Sequence, residues 1–153
     1  MAKQKTIFTI GYEGVTVEAF LRRLESAGVK TLIDVRAVPL SRKPGYSKNR
    51  LAAFLAERGI AYAGLKGLGT PAAGREAARK GRISEMRAIF GRHMETEPAL
   101  ADLTKAIEIA GTAPACLLCF EHSAACCHRL MVAEIMAEKT GMDIRNLDPV
   151  NEV

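Results

Sequence analysis

Short, β-favouring apolar runs alternate along this chain with stretches in which apolar residues recur every three or four positions, and that alternation limits the fold more than any other feature. Thr6-Ile7-Phe8-Thr9-Ile10 is β-rich and stops at Gly11, so it reads as a first strand. Thr16 is placed to cap a helix carrying Val17, Phe20, Leu21 and Leu24 on one face and ending at Gly28. Thr31-Leu32-Ile33-Asp34-Val35 is almost continuously apolar, as a strand buried on both faces must be. Arg36 to Lys48 holds Pro39, Pro44 and Gly45 and reads as a loop, before Leu51, Phe54 and Leu55 mark a helix that breaks at Gly59. Ile60 to Leu65 is the third strand. The segment from Lys66 to Gly81 contains four glycines and Pro71, and it is expected to wander over the surface. Helices follow over Ile83 to Met94 and Ala99 to Ala110, with Pro98 suited to a first turn. Ala115 to Phe120 is the most apolar strand, Cys127 to Lys139 a helix closed by Gly141, and Asp143 to Leu147 a last strand.

The order implies an α/β fold: a three-layer, mostly parallel sheet of about five strands with helices on both faces, Rossmann-like, formed by residues 1–153 as one domain. A chain of 153 residues is long enough for this, because at that size about 70% of the unfolded surface is buried without staples. No apolar run approaches the ~20 residues of a membrane span, and Met1-Ala2-Lys3-Gln4-Lys5 is not followed by a signal-peptide core. A cytoplasmic protein without membrane contact is therefore expected, with its four cysteines reduced.

In parallel α/β sheets, ligands bind beyond the carboxyl ends of the strands, and each strand here runs into polar residues. Strand 1 leads to Gly11-Tyr12-Glu13-Gly14, strand 2 to Asp34-Val35-Arg36 and on to Ser41-Arg42. Strand 4 leads to Glu121-His122 and then Cys126-Cys127-His128-Arg129 at the mouth of a helix. A helix N-terminus favours thiolate over thiol. Cys127 is therefore a candidate nucleophile, with His128 or Glu121 as proton carrier. The same N-terminus with Arg129 suits a phosphate or carboxylate equally well, and small buried cysteines beside a capping His128 are the third reading. Asp34 is a candidate general base or the orienter of Arg36. Arg36, Arg42, Arg129 and Glu13 are the candidate ligand-binding residues. Ser41 to Gly45 reads as a mobile, anion-contacting loop, and His93 as a surface residue.

A metal site in which Cys116-x-x-Cys119 share an ion is disfavoured, since strand residues three apart face opposite ways. A mixed site using Cys127, His128 and His122 is the metal alternative. Gly11-x-x-Gly14 and Gly64-x-x-Gly67-x-Gly69 are too weak to name a nucleotide cofactor, and the sequence assigns none. The net charge of +5 favours an anionic partner, small molecule or nucleic acid. The two basic stretches, Arg36 to Arg50 and Arg75 to Arg92, lack the interleaved aromatics of a single-strand groove.

Thr9-Ile10-Gly11-Tyr12-Glu13, Asp34-Val35-Arg36 with Pro39 and Ser41-Arg42, Leu65 with Leu68-Gly69, and Leu118-Cys119-Phe120-Glu121 ahead of Cys127-His128-Arg129 together resemble the family called domain of unknown function 488. The likeness runs from about Thr6 to Asp148. It implies a small α/β domain and brings no established reaction; the matching polar positions are Asp34, Arg36, Arg42, Glu121, Cys127, His128 and Arg129. Tyr12-Glu13 stands where the family often carries His-Ser, and Cys126 is an extra thiol. The function expected is a small enzyme acting on an anionic substrate, a nucleotide or phosphorylated metabolite. A nucleic-acid-binding or regulatory module and a metal-binding protein using Cys127 and His128 are the alternatives.

Overall fold

In a computed structural model, which describes residues 5–120 and 128–147, five strands form one all-parallel sheet in the order β3-β2-β4-β1-β5. The strands are β1 (Thr6–Gly11), β2 (Thr31–Asp34), β3 (Ala61–Gly64), β4 (Ala115–Cys119) and β5 (Asp143–Leu147). The helices are α1 (Val17–Ser26), α2 (Lys48–Glu57), α3 (Ala72–Arg79), α4 (Ile83–His93), α5 (Glu97–Thr112) and α6 (His128–Thr140).

Chain connectivity decides which helices cover which face. The steps β1 to β2 and β2 to β3 move one way across the sheet, and β3 to β4 and β4 to β5 move the other way. Right-handed crossovers then place α1 and α2 on one face and α3 to α6 on the other. The packing agrees. Phe20, Leu24, Leu51 and Leu55 belong to one core, whereas Met86, Phe90, Leu103, Val132 and Met136 belong to the second. Along β4 the side chains alternate between them: Cys116 and Leu118 enter the first core, Ala115, Leu117 and Cys119 the second. This is why β4, central and wholly buried, is continuously apolar, and why the edge strands β3 and β5 are not.

Local signals placed the helix ends well. Thr16 Oγ accepts from the Ala19 N–H at 3.2 Å and opens α1, and Pro98 lies in the first turn of α5. The segment after β3 is a correction. Instead of wandering, it forms a 3-10 turn at Lys66–Leu68 and then α3. Its alanines are strong helix formers, and Gly74 does not break it because the position is a packing site: a Cβ there would lie 2.3 Å from Thr70 Cγ2. His93 is likewise not a free surface residue. It is half-buried, and its Nε2–H donates to the Gly67 carbonyl at 2.7 Å, tying α4 to the 3-10 turn. Among the described residues no helix is long and apolar enough to cross a membrane.

Neighbouring β1 and β4 send their connections to opposite faces, and this opens a crevice at their carboxyl ends. The backbone closes the floor of that crevice. The Tyr12 and Glu13 N–H groups both donate to the Phe120 carbonyl, at 3.1 and 2.8 Å, and the Val35 N–H donates to the Leu118 carbonyl at 3.1 Å.

Candidate functional site

The strand ends contribute the innermost layer of the site. Asp34, 1% exposed, lies at the last position of β2 and points toward Arg36, which is 6% exposed. Arg36 Nε donates to Asp34 Oδ1 at 2.9 Å and Nη2 to Oδ2 at 2.7 Å, a bidentate fork, and the Arg36 N–H adds a third bond to Oδ1 at 3.0 Å. Nη1 donates to the Tyr46 carbonyl at 2.7 Å and to the Tyr12 hydroxyl at 3.2 Å. Tyr62 donates its hydroxyl to Asp34 Oδ2 at 2.5 Å. Burial alone would weaken the guanidinium charge, but the bonded carboxylate outweighs it and the pKa of Arg36 goes up. Burial, reinforced by Asp34, likewise pushes up the Tyr62 phenol. Of the two roles expected for Asp34, the geometry displays the second: it orients Arg36.

The ring of Tyr12 stacks on Tyr46 at 4.3 Å between centroids and meets Phe120 edge-on at 5.4 Å. Tyr46 in turn donates to the Val15 carbonyl at 2.8 Å, so the loop after β2 is anchored to the one after β1. The Ser41 to Gly45 stretch, expected to be mobile, is internally braced: the Ser41 N–H donates to Ser47 Oγ at 3.0 Å, and Ser47 Oγ donates to the Ser41 carbonyl at 3.1 Å.

Above this layer lies a cleft of about 570 Å³. It lies over the carboxyl ends of β1, β2 and β4 and is walled on one side by α3. Arg36, Arg42, Arg75 and Arg79 line it, with Glu13 as the one carboxylate among the described lining residues. Arg42 is exposed and makes no hydrogen bond or ion pair among the described residues. Arg75 donates to the Thr70 carbonyl at 2.9 Å and has no carboxylate partner among those residues. Arg79 is held only by a surface pair with Glu76 at 3.0 Å. Among the described residues the cleft is thus electropositive, and Arg42, Arg75 and Arg79 keep guanidinium donors to spare. Gly69 permits the narrow part of the wall. A Cβ there would sit 2.4 Å from the backbone of Ala37, so the turn before α3 can approach the loop after β2 only with glycine.

His128 opens α6 and also lines the cleft, packed against Phe90 at 5.3 Å. Its Nε2 is 2.8 Å from the Val35 carbonyl. A carbonyl only accepts, so the proton sits on Nε2. Burial pushes the imidazole pKa down to about 4, against the raising effect of the Val35 bond, and the positive charge of Arg129 lowers it further. The ring is neutral near pH 7.

Of the expected site residues, Glu13, Arg36, Arg42 and His128 meet in one cleft, and Asp34 lies directly behind Arg36. Arg129 does not reach it. It is 1% exposed, sunk into the layer under α6, with Nη1 3.8 Å from Cys119 Sγ. Glu121, His122, Cys126 and Cys127 lie outside the described residues. Cys116 is a free buried thiol whose pKa burial pushes up, while Cys119 is disulfide-bonded. The latter corrects the expectation of reduced cysteines, because spacing along a chain does not report which sulfurs meet at a strand end. The two face opposite cores, as their strand spacing requires. Among the described residues no three His, Cys, Asp or Glu side chains gather to hold a metal.

Arg75 and Arg79 are not singled out by the sequence, because the glycines and proline of their segment point to surface chain. The available signal was their separation by four within an alanine-rich run, which puts both on one helix face. Tyr62 is not singled out either, since its bond to Asp34 spans 28 positions.

A family model described as Domain of unknown function DUF488 matches residues 16–136. No curated protein and no solved structure matches the chain.

Proposed function

This chain belongs to the DUF488 family, whose name assigns no reaction, and from the cleft itself we propose that it binds, and acts on, an anionic small molecule, a nucleotide or a phosphorylated metabolite. One observation carries the reading: among the described residues, four arginines and one carboxylate line a single cleft at the strand ends. Arg42, Arg75 and Arg79 are the anion-binding groups, since their donors are not consumed by buried carboxylates. Arg36 supplies a fixed positive charge at the floor, held by Asp34, and contributes field more than direct hydrogen bonds. Arg129 contributes from behind, through its charge. Glu13 on the rim accepts from ligand hydroxyl or amino groups.

For the chemical step, the His128 ring, neutral and oriented by its bond to the Val35 carbonyl, is the proton carrier. Cys127 and Glu121 keep the nucleophile and acid–base roles suggested by the sequence. Isothermal titration with ribose 5-phosphate and inorganic phosphate tests the binding half. Saturable binding that is lost in the Arg75→Ala/Arg79→Ala double variant is expected, and absence of binding to both of these anions and to nucleoside 5′-monophosphates refutes it. Alkylation of the reduced protein followed by mass spectrometry at neutral pH tests the thiol: Cys127 should label fast and selectively, and slow, unselective labelling removes the nucleophile.

A second reading has its own observation. Lys48, Arg50 and Lys66 line another depression on the far side of the loop holding Ala37 to Leu40. A phosphodiester chain crossing that loop would meet positive charge on both sides, as a nucleic-acid-binding module requires.

A further inference from the structure

We infer that the ligand of the arginine-lined cleft carries an aromatic ring beside its anionic group, and so is a nucleotide rather than a simple phosphate ester; the inference rests on the anion-binding reading above. It comes from where the protein exposes apolar surface. Among the described residues four large hydrophobic side chains are exposed: Val38 at 49%, Leu40 at 70%, Leu100 at 46% and Phe120 at 46%. Three of these, Val38, Leu40 and Phe120, line the same cleft as Arg42, Arg75 and Arg79.

Exposed apolar side chains scattered singly need no explanation, but a cluster rimmed by polar groups marks a binding surface. A bare phosphate or sugar phosphate gives such a cluster nothing, since its surface is polar throughout. A ligand with a flat apolar face gains by covering it. The cluster is also built on rigid supports. Phe120 meets Tyr12 edge-on, and Tyr12 is stacked on the buried Tyr46. Leu40 stands on the loop that Ser41 and Ser47 brace from within. Aromatic side chains held in place this way are the stacking platforms on which bases sit, tolerant of which base is presented.

The size fits as well: about 570 Å³ falls within the ~300–1,000 Å³ of small-molecule sites, with room for a ring and a phosphate together. Apolar and charged groups share one cleft, so the two halves of the ligand are adjacent, as base and phosphate are in a mononucleotide. Because stacking is tolerant, a preference for ring-bearing phosphates over ring-free ones should exceed any preference among bases.

The test is isothermal titration of the full chain with the four ribonucleoside 5′-monophosphates, ribose 5-phosphate and inorganic phosphate. At least one nucleotide should bind at least tenfold more tightly than ribose 5-phosphate. Leu40→Ser, at an exposed position that leaves the fold intact, and Phe120→Ala should each shrink that gap several-fold without altering ribose 5-phosphate binding. Equal affinity for nucleotides and ribose 5-phosphate overturns the ring inference and leaves the anion site standing. So does a nucleotide affinity indifferent to both substitutions. Failure of every phosphate to bind overturns the anion site and the ring inference together.

Discussion

At the residue scale the Asp34–Arg36–Tyr62 network holds the most concentrated energy in the site. Asp34 accepts two side-chain bonds from Arg36, one from its backbone N–H and one from Tyr62. Removing one member of a buried charge pair strands the other, at a cost of about 3–5 kcal/mol. Asp34→Ala should therefore lower the unfolding free energy by about that amount, whereas Tyr62→Phe, losing one bond to a charged acceptor, should cost about 1.5–3 kcal/mol. Urea denaturation of both variants measures this, and a Tyr62→Phe loss as large as that of Asp34→Ala would contradict the assigned hierarchy. His128 gives a pH dependence. Its folded pKa, about 4, lies below the ordinary value of about 6.5, so the unfolded chain takes up the proton first. The contribution is fully present above pH 6.5 and is lost as pH falls toward 4, amounting to about 3 kcal/mol. In His128→Gln, where an amide can still donate to Val35, this part of the acid slope should vanish. Parallel stability curves for the two proteins between pH 6.5 and 4 would show that His128 does not stay neutral in the fold.

At the element scale α3 is the piece on which the site's charge depends. It brings Arg75 and Arg79 to the cleft, and it is seated by Gly74 against Thr70 and Ile89. In an exposed helix Gly→Ala stabilises by about 1 kcal/mol. Here the added Cβ meets Thr70 Cγ2 at 2.3 Å and Ile89 Cγ2 at 3.3 Å, so Gly74→Ala should instead destabilise by about 1–3 kcal/mol. Thermal unfolding decides the sign, and a raised Tm would mean that α3 is looser on its neighbours than its contacts imply. Because the shift moves Arg75 with the helix, phosphate binding should weaken in the same variant.

At the scale of the whole molecule, the net charge of +5 and the cleft make separable claims. General attraction to polyanions releases counterions, and a contact with 6–10 phosphates loses about 10³–10⁵ in affinity between 50 and 200 mM salt. A mononucleotide in the cleft meets only a few arginines and an apolar wall. Its affinity should fall by about tenfold or less over that interval, whereas DNA held by phosphate contacts should lose far more; a nucleotide affinity that collapses as steeply would contradict binding in the cleft. The same scale separates what was legible in the chain from what was not. The strands, most helices and the α/β class followed from local rules, because periodicity and β-propensity act on neighbours in sequence. Alanine richness outweighs the glycine at α3, where Gly74 serves packing. The pairing of Asp34 with Arg36, two apart on one strand end, was also within reach. Which side chains share the cleft was decided by β4 inserting between β2 and β1. That insertion brings Phe120 and His128 beside residues 93 to 108 positions away, while the inward face of α6 sinks Arg129 out of reach. Sequence by itself determined the elements, since their causes are short-range; only the tertiary structure decided the membership of the site, since that is set by strand order and helix rotation, which no local pattern encodes.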